Sequence, residues 1–318
     1  MPTPIQPLKQ REIIDVVHWE TDAEFGVFPQ GARAKEAVFA PADTGHDPLR
    51  PGHRYLFKRS KKAYPDQFWG EIVAYRVGSA MGLEVPPAFA AFNSGTQYSA
   101  ALIEWFYVHP ARFVHAGDYF QRIIPEFDRT RGRQHNLVDT RRILRTFHHG
   151  QFLRSDWRQW ITDMFVFDSV IGNTDRHQDN WGLIFYLDPH TSKGAARLAP
   201  LFDNGTSLGH EMFPERIAGW RDENFQKYID RGRHHMSAAR GEECLSTPHR
   251  TMVQNVINEW PETRLVAHQR LALLAQALPD MLTDLEAMGG TVPLTNARAR
   301  FMHRLLSIRV AALLDITR

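Results

Sequence analysis

The chain has 318 residues, 43% hydrophobic and 23% charged. That is enough for one large globular domain or two smaller lobes, and it excludes a disordered or fibrous protein. Lys and Arg total 38 against 36 Asp and Glu, so the formal net charge is only +2 and any basic partner site must be local; direct nucleic-acid binding is not expected.

Taken in chain order, the N-terminal segment MPTPIQPLKQREIIDVV has no continuous apolar core ahead of a small-residue cleavage site, so no signal peptide is expected. No apolar run approaches the roughly 20 residues that cross a bilayer. The single cysteine, Cys244, leaves no internal disulfide and no Cys-rich zinc site, and a cytoplasmic protein is expected. Short β-like runs follow: EAVFAP (36–41), RYLFKR (54–59), AFAAF (88–92) and SAALIEWF (99–106), separated by Gly, Pro, Asp and Asn clusters. One helix is predicted among them over 65–82. Pro65 stands in its first turn, Phe68, Ile72, Tyr75 and Ser79 recur at helical spacing, and Gly82 closes it.

Near residue 106 the texture changes. Helical periodicity marks 137–149, 156–171, 250–259, 263–277 and 295–316, the last with Phe301, Leu305, Ile308, Ala312 and Leu313 on one side. Two β-like pieces interrupt it, WGLIFY (181–186) and RLAPLF (197–202). The expected fold is α+β and bilobal, with a small β-rich N-lobe over 1–106 and a larger, mostly helical C-lobe over 107–318.

The polar loops between these elements are where chemistry is sought. VIGNTDRHQDNWGLIF (170–185) runs from an apolar helix through a dense polar loop into a strand, with Asp175 and Asn180 five apart. That is the D-x-x-x-x-N spacing of a kinase catalytic loop, in which a carboxylate orients an attacking hydroxyl and an amide oxygen serves a hard cation. After the second strand comes LAPLFDNGTSLG (198–209), where Asp203, followed by Asn204 and Gly205, takes the place of the metal-binding Asp of D-F-G, and the glycine is expected to carry the sharp turn. Upstream, Lys58 ends the apolar run YLFK, and Glu71 lies 13 residues later on the predicted helix as its ion-pair partner. FPQGARAKEAVF (28–39), with Gln30, Gly31 and Ala32, supplies small residues before a strand but matches neither G-x-G-x-x-G nor Walker A. The backbone from Glu104 to Phe106 joins the two halves where an adenine edge would be read.

NTDRHQDN followed by LAPLFDNGTSL, with FKRS and FWGEIVAYRVGSAMGLEVP upstream, resembles the HipA-like kinase family, in particular its C-terminal kinase region. D-R-H-x-x-N with D-x-G is also similar to phosphoinositide 3- and 4-kinases. The resemblance spans about 25–240. It implies an ATP- and Mg²⁺-dependent serine/threonine protein kinase, with Asp175 as catalytic base, Asn180 and Asp203 as Mg²⁺ ligands, Lys58 as the ATP-phosphate lysine and Glu71 as its partner. It also implies a phosphate-covering loop over about 28–36, including Gln30, Gly31 and Ala32. Family members act as toxins of toxin–antitoxin pairs on translation proteins such as aminoacyl-tRNA synthetases, so a protein substrate of that kind and a small helix-turn-helix antitoxin are the implied partners. The chain departs from the pattern in three ways: the additional N-terminal subdomain of full-length HipA is not expected, the loop QGARAK lacks the serine or threonine that inhibitory autophosphorylation would need, and Asn173-Thr174 replaces the first two residues of H-R-D. A small-molecule or lipid kinase, a nucleotide-binding pseudokinase and an RNA-binding protein stay open as alternatives.

The remaining polar residues have plainer readings. His177 is read as structural, bonding backbone within its loop, and the pairs His148/His149 and His234/His235 lack the spacing and partners of a zinc site. Arg129, Arg131, Arg133, Arg141, Arg142 and Arg145 read as a solvated face in preference to a patch for tRNA-bound or phosphorylated partners. KYIDRGRHHM (227–236) stands where an activation or substrate segment would lie, and Trp157, Trp160 and Phe165 read as core.

Overall fold

The computed structural model describes residues 2–23, 34–241 and 246–318. Gln30, Gly31 and Ala32, with most of the predicted phosphate-covering loop, and Cys244 lie outside the described residues.

A six-stranded sheet forms from β1 (Ile14–Asp15), β2 (Glu20–Thr21), β3 (Lys35–Phe39), β4 (Arg54–Arg59), β5 (Ala88–Asn93) and β6 (Tyr98–Glu104), in the order β1-β5-β6-β4-β3-β2. Neighbours are antiparallel except β1 with β5. Alternation along β4 sends Tyr55 and Phe57 into an outer core with Ile14, Val16, Val38, Phe89 and Leu102. Lys58 therefore points to the opposite face, directly across from Ala101. On that face Ala88, Ala90 and Ala101 are small, which lets α1 (Trp69–Ala80) lie close against the sheet. The predicted helix is shorter than its pattern: residues 65–68 form turns, so Pro65 precedes the helix, and Gly82 terminates the segment at φ 67°. The predicted last strand also ends early, at Glu104, leaving Trp105 and Phe106 in the linker.

β7 (Arg112–His115), α2 (Ala116–Ile123), α3 (Leu137–His149) and α4 (Trp157–Ile171) follow, then β8 (Gly182–Leu187) and β9 (Gly194–Leu198). β7, β8 and β9 make a three-stranded antiparallel sheet. β7 and α2 escaped the helical reading of this half because each is too short to display a period. β9 begins three residues before RLAPLF and stops at Leu198, so 199–202 run as irregular chain into the Asp203 loop. The rest is α5 (Pro214–Ile217), α6 (Asp222–Arg231), the short pair β10 (Arg233–His234) and β11 (Thr247–Pro248), α7 (His249–Glu259), α8 (Arg264–Ala277), α9 (Thr283–Glu286) and α10 (Asn296–Thr317).

The principal core is continuous across both parts. Phe68, Trp69, Ile72, Val73 and Val77 of the α1 region share one cluster with Phe165 and Phe167 of α4, Leu271 and Leu274 of α8 and Leu306 and Val310 of α10. Polar ties reinforce it: Trp69 Nε1 donates to Val292 O at 3.0 Å, Arg298 Nε to Asp66 at 2.8 Å and Arg76 to Asp284 at 3.0 Å. The architecture is α+β and bilobal, with α1 wedged between the large sheet and the helices.

Candidate active site

Lys58 leaves β4 on the α1 side of the sheet and is buried, its stem over Ala101. Its Nζ lies 2.7 Å from Glu71 Oε1 and 2.6 Å from Asp203 Oδ1. Glu71, in the first turn of α1, uses its other oxygen to accept the Asn204 backbone N–H at 2.8 Å. One ammonium and one helix carboxylate thus hold Asp203 and Asn204 against the sheet. The sharp turn here falls on Asp203 itself, at φ 57°, and not on Gly205 as expected from the sequence. Asp tolerates the left-handed region better than most residues. Gly205 instead lies against Gly70, where an added Cβ would stand 3.6 Å from the Gly205 Cα.

The 173–182 loop is fixed from both ends. α4 stops at Gly172 in the left-handed conformation. Asn173 then spans the turn: its N–H donates to Asp168 O, and its side-chain oxygen accepts the Asp175 N–H at 2.9 Å. Asp175 O accepts both the His177 N–H and Asn180 Nδ2, the latter at 2.7 Å. With its amide nitrogen engaged, the side-chain oxygen is the atom through which Asn180 could serve a cation. Thr206 Oγ1 approaches Asp175 Oδ2 at 3.4 Å, joining the two loops. Downstream, His115 bonds Asp179 O at 2.8 Å, Gly117 donates to Gln178 O, and Arg129 pairs with Asp118 and Asp179. Arg129 is therefore part of the loop's frame and not of a solvated arginine face.

Beneath the loop lies a buried network that sequence reasoning did not find. Arg176 binds Asp168 through Nε and Nη2 at 3.0 and 2.8 Å. It donates also to Asn180 O at 3.1 Å, to Phe202 O, and to Asn204 Oδ1 at 2.7 Å. His234 completes it: its Nδ1 accepts the Met236 N–H, so Nε2 carries the proton and donates to Asp168 Oδ2 at 3.0 Å. Burial alone would raise the Asp168 carboxyl, but Arg176 and His234 hold it well below the usual carboxylate range. The available signal was the one charged residue, Asp168, in the largely apolar stretch MFVFDSVI. His177 does bond backbone, accepting the Asp179 N–H at 3.1 Å.

At the linker, Phe106 stacks on Phe202 with ring centres 5.0 Å apart, and Phe113 meets both edge-on. The Glu104 N–H is committed to Pro87 O and the Trp105 N–H to Arg54 O, and the Glu104 carboxylate pairs with Arg50. An adenine-reading role therefore does not fall on the Glu104 donor. Phe106 offers a ring at the cleft, while its carbonyl accepts from Arg197 at 3.2 Å.

The donor chemistry fits a hard divalent cation: one carboxylate, Asp203, and one amide oxygen, Asn180. Among the described residues no group of three or more His, Cys, Asp or Glu is assembled for a metal, so such an ion would take its other oxygens from phosphate and water. No helix is long and apolar enough to cross a membrane among the described residues.

The family model of the HipA-like C-terminal domain matches residues 28–263, more than half of the chain. Among solved structures, the crystal structure of the Helicobacter pylori proinflammatory kinase CtkA is similar at 18% identity and a TM-score of 0.71, with 96% of each chain covered. The Golgi casein kinase is similar at 10% identity and a TM-score of 0.37, over 96% of this chain and 72% of that one. No curated protein matches. The likeness to CtkA is one of fold, and it makes the bilobal architecture kinase-like.

Proposed function

The chain belongs to the family of HipA-like C-terminal domains, and on that footing we propose that it is an ATP-dependent kinase acting on a serine or threonine hydroxyl of a protein. The observation that carries this reading is the meeting of Lys58 with Glu71 and Asp203 at 2.7 and 2.6 Å, beside a loop that presents Asp175 and Asn180 together. Catalysis in such a site is mostly positioning and charge neutralisation. Asp175 orients the acceptor hydroxyl and takes its proton. Lys58, aimed by Glu71, neutralises phosphate oxygens once Asp203 turns from it. Asp203 and Asn180 would hold Mg²⁺, which when bound neutralises charge on the phosphates. Phe106 and Phe202 offer an apolar wall for the base. The family resemblance adds the expectation of a toxin or growth regulator directed at a translation protein, with a small helix-turn-helix antitoxin as partner.

The test is incubation of the purified chain with radiolabelled ATP and Mg²⁺, in parallel with a cell proteome and with a metabolite and lipid extract. Label in a protein band, absent with Asp175→Asn, is expected. Label only in the small-molecule or lipid fraction would replace the protein acceptor, and nucleotide binding without any transfer would leave a regulator.

A further inference from the structure

On the face of the C-lobe formed by α3, α4 and α7 lies a groove of about 760 Å³ lined by Arg141, Arg142, Arg145 and Arg158, by His148 and His149, and floored by Trp157 and Trp260. Four guanidiniums converge there in a chain whose whole net charge is +2. Val138, Arg142, Arg145 and His149 fall at helical spacing on one side of α3. Arg141 is matched, pairing with Glu259 at 2.6 Å. Arg142, Arg145 and Arg158 have no ion pair with a carboxylate among the described residues; Arg145 donates to His149 at 3.2 Å, and Arg158 lies over the Trp157 ring at 5.0 Å. Arg158 stands in the first turn of α4, whose N-terminus is capped by the Asp156 carboxylate, which accepts the Arg158 N–H at 3.0 Å and leaves the guanidinium itself exposed. Three exposed guanidiniums without a carboxylate ion pair among the described residues make a surface that an external anion would stabilise.

The floor distinguishes the kinds of anion. Trp157 and Trp260 meet edge-to-face at 5.4 Å and are only 4% and 6% exposed. They present no free ring for stacking a nucleotide base, as single-stranded nucleic acid would require. The apolar surface open between the arginines is the exposed Val138. Carboxylates above and aliphatic side chains below suit an extended peptide in which acidic and apolar residues alternate. A groove of this volume accepts a short stretch of chain.

We propose that this groove is a docking site for a carboxylate-rich segment of a protein partner. This rests on the reading of the chain as a protein kinase. The groove sits at the N-terminus of α4, whose C-terminus leads into the Asp175 loop. At about 1.5 Å per residue α4 separates the two by roughly 20 Å. Because α4 is buried over 161–171 and a docked chain must pass around it, a substrate held here would carry its acidic segment at least about six or seven extended residues from the hydroxyl that is phosphorylated.

Fluorescence anisotropy with a labelled dodecapeptide of alternating Glu and Leu tests this without nucleotide. Binding that weakens with salt, and that falls at least about tenfold in Arg142→Glu/Arg158→Glu, is expected. Transfer to a short peptide lacking acidic residues should be unchanged in that variant. Equal affinity in the variant, or no binding by the unaltered chain at low salt, overturns the proposal. Preference for a single-stranded RNA oligomer over the peptide, lost in the same variant, also overturns it. If the unaltered chain binds the peptide through these arginines yet labels no protein, the kinase reading falls and the groove stands.

Discussion

Arg176 and Asp168 form a bidentate ion pair in which neither side chain reaches solvent. The remaining N–H groups of Arg176 hold Asn180 O, Phe202 O and Asn204 Oδ1, so one guanidinium fixes the 173–182 loop and the Asp203 loop to the same helix.

Arg176→Met should therefore lose more than a salt bridge. It leaves Asp168 charged and buried with only His234 and the Asn173 amide as partners, at a cost of about 3–5 kcal/mol. Urea denaturation checks the stability. Because the conservative Arg176→Lys keeps a charge but not the fork, it should restore part of that stability while phosphoryl transfer stays depressed.

Asp175→Asn and Asp203→Asn should keep the fold and lose phosphoryl transfer, the first by about 10²–10⁴-fold through loss of the base. Asp203→Asn should also lose the divalent-cation dependence of nucleotide binding, read by thermal shift with and without Mg²⁺. Asp175→Asn should keep it. Wild-type transfer by either variant would contradict the site.

Lys58→Met should leave the Glu71 and Asp203 carboxylates facing each other without a cation, destabilising the chain by about 3–5 kcal/mol at neutral pH. A proton can take the place of the lost ammonium, since neighbouring carboxylates disfavour double ionisation. The penalty should accordingly shrink on acidification to about pH 5. Denaturation midpoints of the variant and the parent at the two pH values measure it.

Acid should also loosen the region behind the loop. Burial, with neighbouring histidines adding to it, lowers His235 to about 4, lowers His249 to about 3, and keeps His135 well below its ordinary value. Unfolded histidines titrate near 6.5. Between that value and about 4 the unfolded chain binds more protons, so stability falls as pH falls. Asp163, pushed up to about 6 by burial, opposes this by a single proton from about pH 6 downward. Chemical denaturation from pH 7 to about 4.5 should show a falling midpoint, and His235→Gln should flatten the slope.

Much of the site was written in residue order. The pairs Asp175–Asn180 and Lys58–Glu71, and the strand-turn-strand leading to Asp203, are local signals whose spacing survives folding. What stayed hidden depends on contacts across long sequence gaps. Asp168 meets His234 across 66 residues, and Lys58 meets Asp203 across 145. β7 has only four residues, so its strand character comes from pairing with β8 and not from its own pattern. The turn at Asp203 was assigned to Gly205 because glycine is the usual left-handed residue. In the fold the Lys58 and Glu71 contacts at this loop hold Asp203 and Asn204 in place, and Gly205 serves close packing against α1.

The wedging of α1 bears on how such a cleft can breathe. Phe68 and Trp69 are buried in a core that belongs equally to α4, α8 and α10. Swinging the sheet and α1 away from the helices would wet both rings. At about 25 cal/mol per Å² and 150–250 Å² each, those two alone would cost roughly 8–12 kcal/mol, as much as the entire stability of a typical domain. The two walls of the cleft are thus parts of one block and not jaws on a hinge. Amide exchange in α1 should be as slow as in α4, with or without nucleotide, and the adjustment on binding should be confined to an exchange of partners at one lysine.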